Sequence, residues 1–268
     1  MLSTITEFFH EHKIEYFSVL SYSDCNEISA ELIAREGFTP KSVILFLIPY
    51  YAGRAENLSC YAASLDYHIA IRDLTDALIE RLEGEFPDNH FRGYGDHSPI
   101  DERHAAVISG LGIKGDSTLL INEKYGTYVF IADIVTDISP DLLGAVTPRP
   151  LVTCSHCGAC KRACPTGILR AECDECLSAI TQRKGELTDG EIDLMRKINT
   201  VWGCDVCQNV CPYNRDPKPT PIDFFHKNRI VCLTSDALAS LSKAELKSRA
   251  FGWRGRKTVE RNLKALDC

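Results

Sequence analysis

The sequence predicts an α+β chain in three parts: an α/β domain over residues 1–147, a cysteine-rich module over 148–215 and a short basic helical tail over 216–268. Three observations predict it. Apolar runs of strand and helix period alternate through the first 145 residues. Nine of the thirteen cysteines fall between Cys154 and Cys211. Two proline-rich stretches, Thr147-Pro-Arg-Pro150 and Asp216-Pro-Lys-Pro-Thr-Pro221, bracket the cysteines as stiff linkers.

Thr4-x-x-Glu7 is a capping-box pattern and predicts a first helix over residues 4–13. Residues 15–22 alternate as a strand does, and 27–36 read as a helix stopped by Gly37. Pro40 leads into a strand over 42–50. Its continuous Val-Ile-Leu-Phe-Leu-Ile calls for a sheet covered on both faces. Residues 64–86 form an amphipathic helix, with Leu65, Ile69, Ile71, Leu74, Leu78, Ile79 and Leu82 at helical period. A shorter helix follows over 102–110. Residues 118–122 and 127–137 read as a hairpin around Glu123-Lys-Tyr-Gly126. In the tail, 235–240, 243–249 and 257–266 read as short helices.

The cysteines carry chemistry. Residues 154–164 read Cys-Ser-His-Cys-Gly-Ala-Cys-Lys-Arg-Ala-Cys, and Pro165 follows. This is the bacterial ferredoxin run for a [4Fe–4S] cluster. A shorter run, Cys204, Cys207, Cys211 and Pro212, comes after it, with Cys173 and Cys176 between. Three closely spaced cysteines curl one loop around a cube corner. The fourth, before proline, ligates the other cluster of a two-cluster ferredoxin-like module. Cluster one then takes Cys154, Cys157, Cys160 and Cys211. Cluster two takes Cys164, Cys204, Cys207 and either Cys176 or Cys173. Structural zinc would want paired C-x2-C units closing one tetrahedron, not this run.

Compartment argues against disulfides. The N-terminal MLSTITEFFHEHKIEYF has acids and histidines where a signal peptide needs an apolar stretch. No run approaches the roughly 18 apolar residues of a membrane span. A cytoplasmic chain with no membrane partner is expected, and there clustered cysteines are metal ligands. The scattered Cys25, Cys60, Cys232 and Cys268 read as small hydrophobes. The net charge of −7 excludes a global nucleic-acid signature, but the tail differs. Residues 226–268 hold ten Lys/Arg against four Asp/Glu, densest at Arg254-Gly-Arg256-Lys257. That run is a solvated face or a contact for phosphate.

A ferredoxin module alone needs some sixty residues, so the first domain should hold what the electrons reach. Gly110-Leu-Gly112 with Gly115 matches Gly-x-Gly-x-x-Gly, but it trails a helix instead of following a strand, a weak nucleotide signal. Asp66-Tyr-His68 begins the Asp-x-His-x-x-Gly of a histidine-ligated cobalamin, but Ile71 replaces the glycine. His68 reads instead as a partly buried helix residue. Asp96, in Gly95-Asp-His-Ser-Pro99, is a proton donor or a turn aspartate bonding its own backbone.

Longer motifs resemble the epoxyqueuosine reductase family. Asp96-x-Ser-Pro-x-x-Glu-Arg103 is similar to that family's Asp-x-Gly-Pro-x-x-Glu-Arg, and Gly115-x-x-Thr-Leu-Leu-Ile121 continues the likeness. Tyr61-Ala62 with Asp66-Tyr-His68, Pro40-Lys-Ser-Val-Ile44, Ile134-Val-Thr-Asp137, Glu175-Cys-Leu-Ser178 and Gly203-Cys-Asp-x-Cys-Gln-x-Val-Cys-Pro212 match further family segments. Arg261-Asn262 and Leu263-Lys-Ala-Leu266 fit as well, so the resemblance covers most of residues 38–266. It implies an oxidoreductase with two [4Fe–4S] clusters and cobalamin that removes the epoxide oxygen of epoxyqueuosine in tRNA. It implies Asp96 as proton donor, Cys176 as the last ligand of cluster two, and Tyr61, Asp96, Arg103 and Gln208 around a base-off cobalamin. A low-potential external electron donor is expected, and tRNA is the candidate partner of the basic tail.

The sequence also departs from the family. Gly115-Asp-Ser-Thr118 stands for Gly-Lys-Asn-Thr, Ser98 stands for glycine, and the chain ends at Cys268 where family members continue into a helical repeat region. The expectation is a short form of the family. Alternatives are a related cobalamin and iron–sulfur reductase of a non-tRNA small molecule, and a ferredoxin-like electron carrier.

Overall fold

A computed structural model describes residues 2–169 and 174–266; Cys173 and Cys268 lie outside them. The chain divides into two compact units. The first comprises Met1–Pro49, Ala70–Gly115 and Leu120–Cys154. The second comprises Tyr50–Ile69, Asp116–Leu119 and Ser155–Cys268.

The first unit is built on an antiparallel sheet. Its elements run α1 (Leu2–Glu11), β1 (Phe17–Ser21), α2 (Ala30–Glu36), β2 (Ser42–Pro49), α3 (Tyr67–Glu85), β3 (Phe91–Gly95), α4 (Glu102–Ile108), β4 (Ile113–Lys114), β5 (Leu120–Ile121), β6 (Val129–Thr136) and α5 (Pro140–Leu143). The sheet order is β1-β2-β6-β3. Every residue of β2 is buried, as its unbroken apolar run requires. Val43, Leu45 and Leu47 share one face with Ile131 and Val135 of β6 and pack with Ala105, Ala106 and Ile108 of α4. On the other face Phe9 of α1 meets the Phe46 ring at 4.9 Å.

Three sequence expectations change here. The first helix begins at Leu2, so Thr4 lies inside it and caps nothing. The hairpin over 118–137 does not form. β5 pairs with β4, and β6 runs between β2 and β3. An Asn122–Gly126 bridge closes the turn, and Asn122 Oδ1 accepts from the Lys124 and Tyr125 N–H groups inside it. A central place in the sheet pairs both edges of β6, and α4 covers one of its faces. β3, which the sequence did not reveal, has the composition of a turn, Phe-Arg-Gly-Tyr-Gly. Its glycines serve close packing: a Cβ at Gly93 would stand 2.6 Å from Thr75, and one at Gly95 2.6 Å from Ile71, both on α3.

The second unit holds α6 (Ala159–Ala163), α7 (Leu177–Gln182), α8 (Asp189–Ile198), α9 (Val206–Asn209), α10 (Ser235–Ser240), α11 (Lys243–Lys247) and α12 (Arg256–Ala265). The tail helices stand close to where their patterns put them. α7 and α8 were missed, although Thr188-x-x-Glu191 is a capping box and both of its hydrogen bonds form. One core joins Leu58 and Ala62 to Val201 and Trp202, and these to Leu238, Phe251, Val259 and Leu263. Residues 57–59 run beside 201–202, with Val201 N donating to Asn57 O and Ser59 N to Trp202 O. The tail therefore shares a core with the cysteine-rich segment.

Candidate functional site: a double cluster unit and an aspartate turn

Every described cysteine is free of disulfide. Cys160 rides on α6, and Cys164 caps that helix. Cys176 caps α7, and Cys207 lies on α9, which packs on α6. Burial pushes the Cys204 thiol up to about 11, with Asp205, Cys176 and Cys164 adding repulsion. Burial pushes Cys207 up to about 12, reinforced by Cys204, Asp205, Cys176 and Cys160. Cys164 differs. Burial raises it, but hydrogen bonds from Thr166 and from the Leu169 N–H outweigh that and leave it below an ordinary thiol. Cys204 thus feels both Cys176 and Cys164, and Cys207 feels Cys204, Cys176 and Cys160. Bound iron would take such thiols as thiolates and offset their repulsion.

Around this run the chain is held by polar side chains. Asp205 accepts from Ser59 Oγ and, at 2.6 Å, from the Cys60 N–H. Gln208 Nε2 donates to Asp205 Oδ1 at 3.0 Å, and Gln208 Oε1 accepts from Tyr50 Oη at 3.1 Å. Gln208 is buried, so both ends of its amide serve the interior. A Cβ at Gly203 would stand 2.5 Å from Ser59, which holds the second cysteine run against residues 59–61. Tyr61, half-buried, accepts from Gln182 Nε2 at 3.4 Å. Nothing but an Asp inside Cys-Asp-x-Cys hinted at the part Asp205 plays. Asp116, where the family motif has a cation, pairs instead with His156 of the first run at 2.7 Å.

In the first unit, Asp96 is exposed on the turn between β3 and α4, with φ +67°. That left-handed backbone suits aspartate or asparagine. The turn is anchored downstream, where Asp101 caps α4 by accepting from the His104 N–H at 3.0 Å. Ser98, buried two residues after Asp96, donates to Asp133 Oδ1 at 3.1 Å. Arg103 is half-buried on the first turn of α4. His68 proves exposed, not partly buried. It stands 2.8 Å from Asp66 and stacks on Tyr67 at 4.1 Å, because it lies in the open first turn of α3. Cys60 and Cys25 are buried and half-buried, but Cys232 is exposed.

Residues 153–214 match the 4Fe-4S double cluster binding domain family. The epoxyqueuosine reductase of Cyclobacterium marinum is 34% identical over 192 residues, 67% of this chain and 60% of that protein. The epoxyqueuosine reductase of Listeria monocytogenes is 34% identical over 218 residues, 74% of this chain and 53% of that protein. This chain is a relative of the epoxyqueuosine reductases. It spans a little over half the length of those two relatives. The fold agrees. The epoxyqueuosine reductase of Streptococcus thermophilus superposes with TM-score 0.76 at 22% identity, over 98% of this chain and 80% of that one. An epoxyqueuosine reductase solved with an epoxyqueuosine-modified tRNA stem loop gives 0.77 at 22% identity, over 99% and 81%.

The basic tail divides into two sets. Arg229 donates to the Gly53 carbonyl, Arg249 to Asn228, Arg256 to Leu238 and Leu241, and Arg261 to Arg183 and Gly185. These four arginines bind the tail to its own unit. Lys227, Lys243, Lys247, Arg254, Lys257 and Lys264 are exposed. No described helix is long and apolar enough to cross a membrane.

Proposed function

We propose that the chain is a cobalamin-dependent iron–sulfur reductase that converts epoxyqueuosine to queuosine in tRNA. The observation that carries this is the match of residues 153–214, with their eight cysteines other than Cys173, to a 4Fe-4S double cluster binding domain. Cys154, Cys157, Cys160 and Cys211 hold the first cluster, and Cys164, Cys176, Cys204 and Cys207 hold the second. Asp96 and Arg103, on the turn before α4 and on its first helical turn, are the groups assigned to cobalamin. Arg103 is half-buried and Asp96 exposed, so both can reach the polar amide groups of a bound corrin. Gln208 acts by holding Tyr50 and Asp205. Bound cobalamin would supply a low-valent cobalt able to help break a carbon–oxygen bond. Asp96 gives a proton to the departing oxygen. An external low-potential donor feeds the clusters in the cytoplasm, and the exposed tail cations contact tRNA phosphates.

The test is an anaerobic assay with added cobalamin and a chemical reductant, comparing an epoxyqueuosine-bearing tRNA stem loop with the free nucleoside. Conversion of the stem loop alone is expected, weakening as salt is raised. Equal conversion of both favours a small-molecule reductase, the reading to which the four structurally committed arginines point. Conversion of neither overturns the proposal. For the clusters, iron should approach about eight per chain, as two cubanes require. Cys176→Ser should lower that to about four, and Cys173→Ser should leave it unchanged. Iron unchanged in Cys176→Ser would remove Cys176 from the ligand set.

A further inference from the structure

The first unit closes off a carboxyl oxygen on each of two residues, Asp133 and Glu102. Asp133 stands on β6 between Ile131 and Val135, on the face that packs against α4, and is 0% exposed. Its Oδ1 takes the Ser98 hydroxyl, and its Oδ2 has no partner among the described residues. Glu102 opens α4. Part of its stem reaches the surface, yet its Oε2 is closed off from water and also has no partner among the described residues. An ionised carboxylate in such a place is strongly disfavoured, and the group keeps its proton instead.

The surroundings add to this. Tyr94 and Cys25 face Asp133. Asp133, Asp96 and Asp101 repel charge on Glu102, and Arg103 opposes them. His104, on the same helix, leaves Nδ1 without a partner among the described residues. Burial pushes Glu102 up to about 8, with repulsion from Asp133 and then Asp96. Burial pushes Asp133 up to about 7 against the pull of the Ser98 hydrogen bond. Ser98 stands where the family motif has glycine, so this chain adds a hydroxyl between the Asp96 turn and Asp133.

We propose that Glu102 and Asp133 are the proton reserve that refills Asp96 within each turnover, with Ser98 linking the Asp96 turn to Asp133. This rests on the reductase reading. Turning an epoxide into an alkene breaks both carbon–oxygen bonds, takes two electrons from the external donor through the clusters, and adds two protons to the oxygen, which leaves as water. Asp96 carries one proton at a time. After the first transfer its carboxylate takes the Glu102 proton and gives it to the oxygen. Asp133 backs Glu102, and solvent refills the pair through Glu102, which reaches the surface. Glu102 and Asp133 touch no substrate; they are positioning residues that act through Asp96.

The test starts without substrate, by infrared difference titration of the cluster-loaded protein. The wild type should keep a protonated-carboxyl band at neutral pH that fades at higher pH. Glu102→Gln and Asp133→Asn should each remove part of it. Ser98→Ala should move the fading upward, since the hydroxyl that favours the Asp133 anion is gone. No band at neutral pH, or a band unchanged in both carboxyl variants, overturns the proposal. With the stem loop, Glu102→Gln should lower kcat by about tenfold or more, leave KM unchanged and shift the alkaline limb of the pH profile. Glu102→Asp should recover part of the loss. A profile that superposes on the wild type overturns the reserve. If Asp133→Asn fails to fold, Ser98→Ala and Glu102→Gln still decide. A wild type that keeps the band but turns over nothing overturns the reductase reading, whereas turnover without the band overturns the reserve alone.

Discussion

Replacing Asp96 with asparagine should slow turnover of an epoxyqueuosine stem loop by about 10²–10⁴, the usual worth of a general acid, while iron content stays unchanged. The substitution is clean for a backbone reason. Asp96 sits at φ +67°, a conformation that costs most side chains energy and asparagine little. The Asp96→Asn variant therefore keeps the turn and its polar contacts and lacks only the transferable proton. Asp96→Ala would add strain to the loss of the acid and would confuse the two. Normal turnover by Asp96→Asn would reduce Asp96 to a turn residue. Lost cobalamin in the variant would make its role one of placement.

Raising the pH from about 5.5 to 8.5 should destabilise the cluster-loaded protein, and Asp133→Asn should remove much of that slope. The sign follows from linkage. Asp133 lies at about 7 in the folded chain against 3.8 ordinarily, and Glu102 at about 8 against 4.5. The folded state thus holds protons that the unfolded chain has released. That stabilisation is complete below pH 4 and is lost as pH rises through 7 and 8. A pKa unit is worth about 1.4 kcal/mol, so Asp133 alone contributes at most about 4 kcal/mol. Glu11, Asp137, Glu191 and Glu245 are held below ordinary values and stay ionised throughout the window, so they do not mask the effect. Anaerobic urea unfolding at the two ends of the range measures it. Equal stabilities at both would mean that neither carboxyl is protonated in the fold.

The double cluster module was legible because cluster chemistry is local. In Cys-x2-Cys-x2-Cys-x3-Cys-Pro three cysteines curl around one cluster and the fourth serves the other, and the spacing alone identifies it. The Asp96 turn was legible only through its resemblance to a family motif; an aspartate between glycine and proline otherwise says no more than turn. β3 was hidden because glycine reads as a loop residue, whereas here Thr75 and Ile71 occupy the space of the missing side chains. Asp205 was hidden because its partners, Ser59 and Cys60, lie some 145 residues away in sequence.

By itself the sequence determined the cluster module, the fully buried β2, the tail helices and the kinship to the epoxyqueuosine reductases, since each depends on spacing or period within a short stretch. Tertiary structure alone decided that β6 runs beside β2 and not back along β5, that residues 50–69 join the cysteine-rich unit, and that four of the tail's arginines end on main-chain carbonyls. It also decided that Asp133, one polar residue in an apolar strand, meets Ser98 instead of water. The physical reason is common to all four. Burial and unmet hydrogen bonds are properties of distant segments brought together, and no local pattern encodes which segments those are.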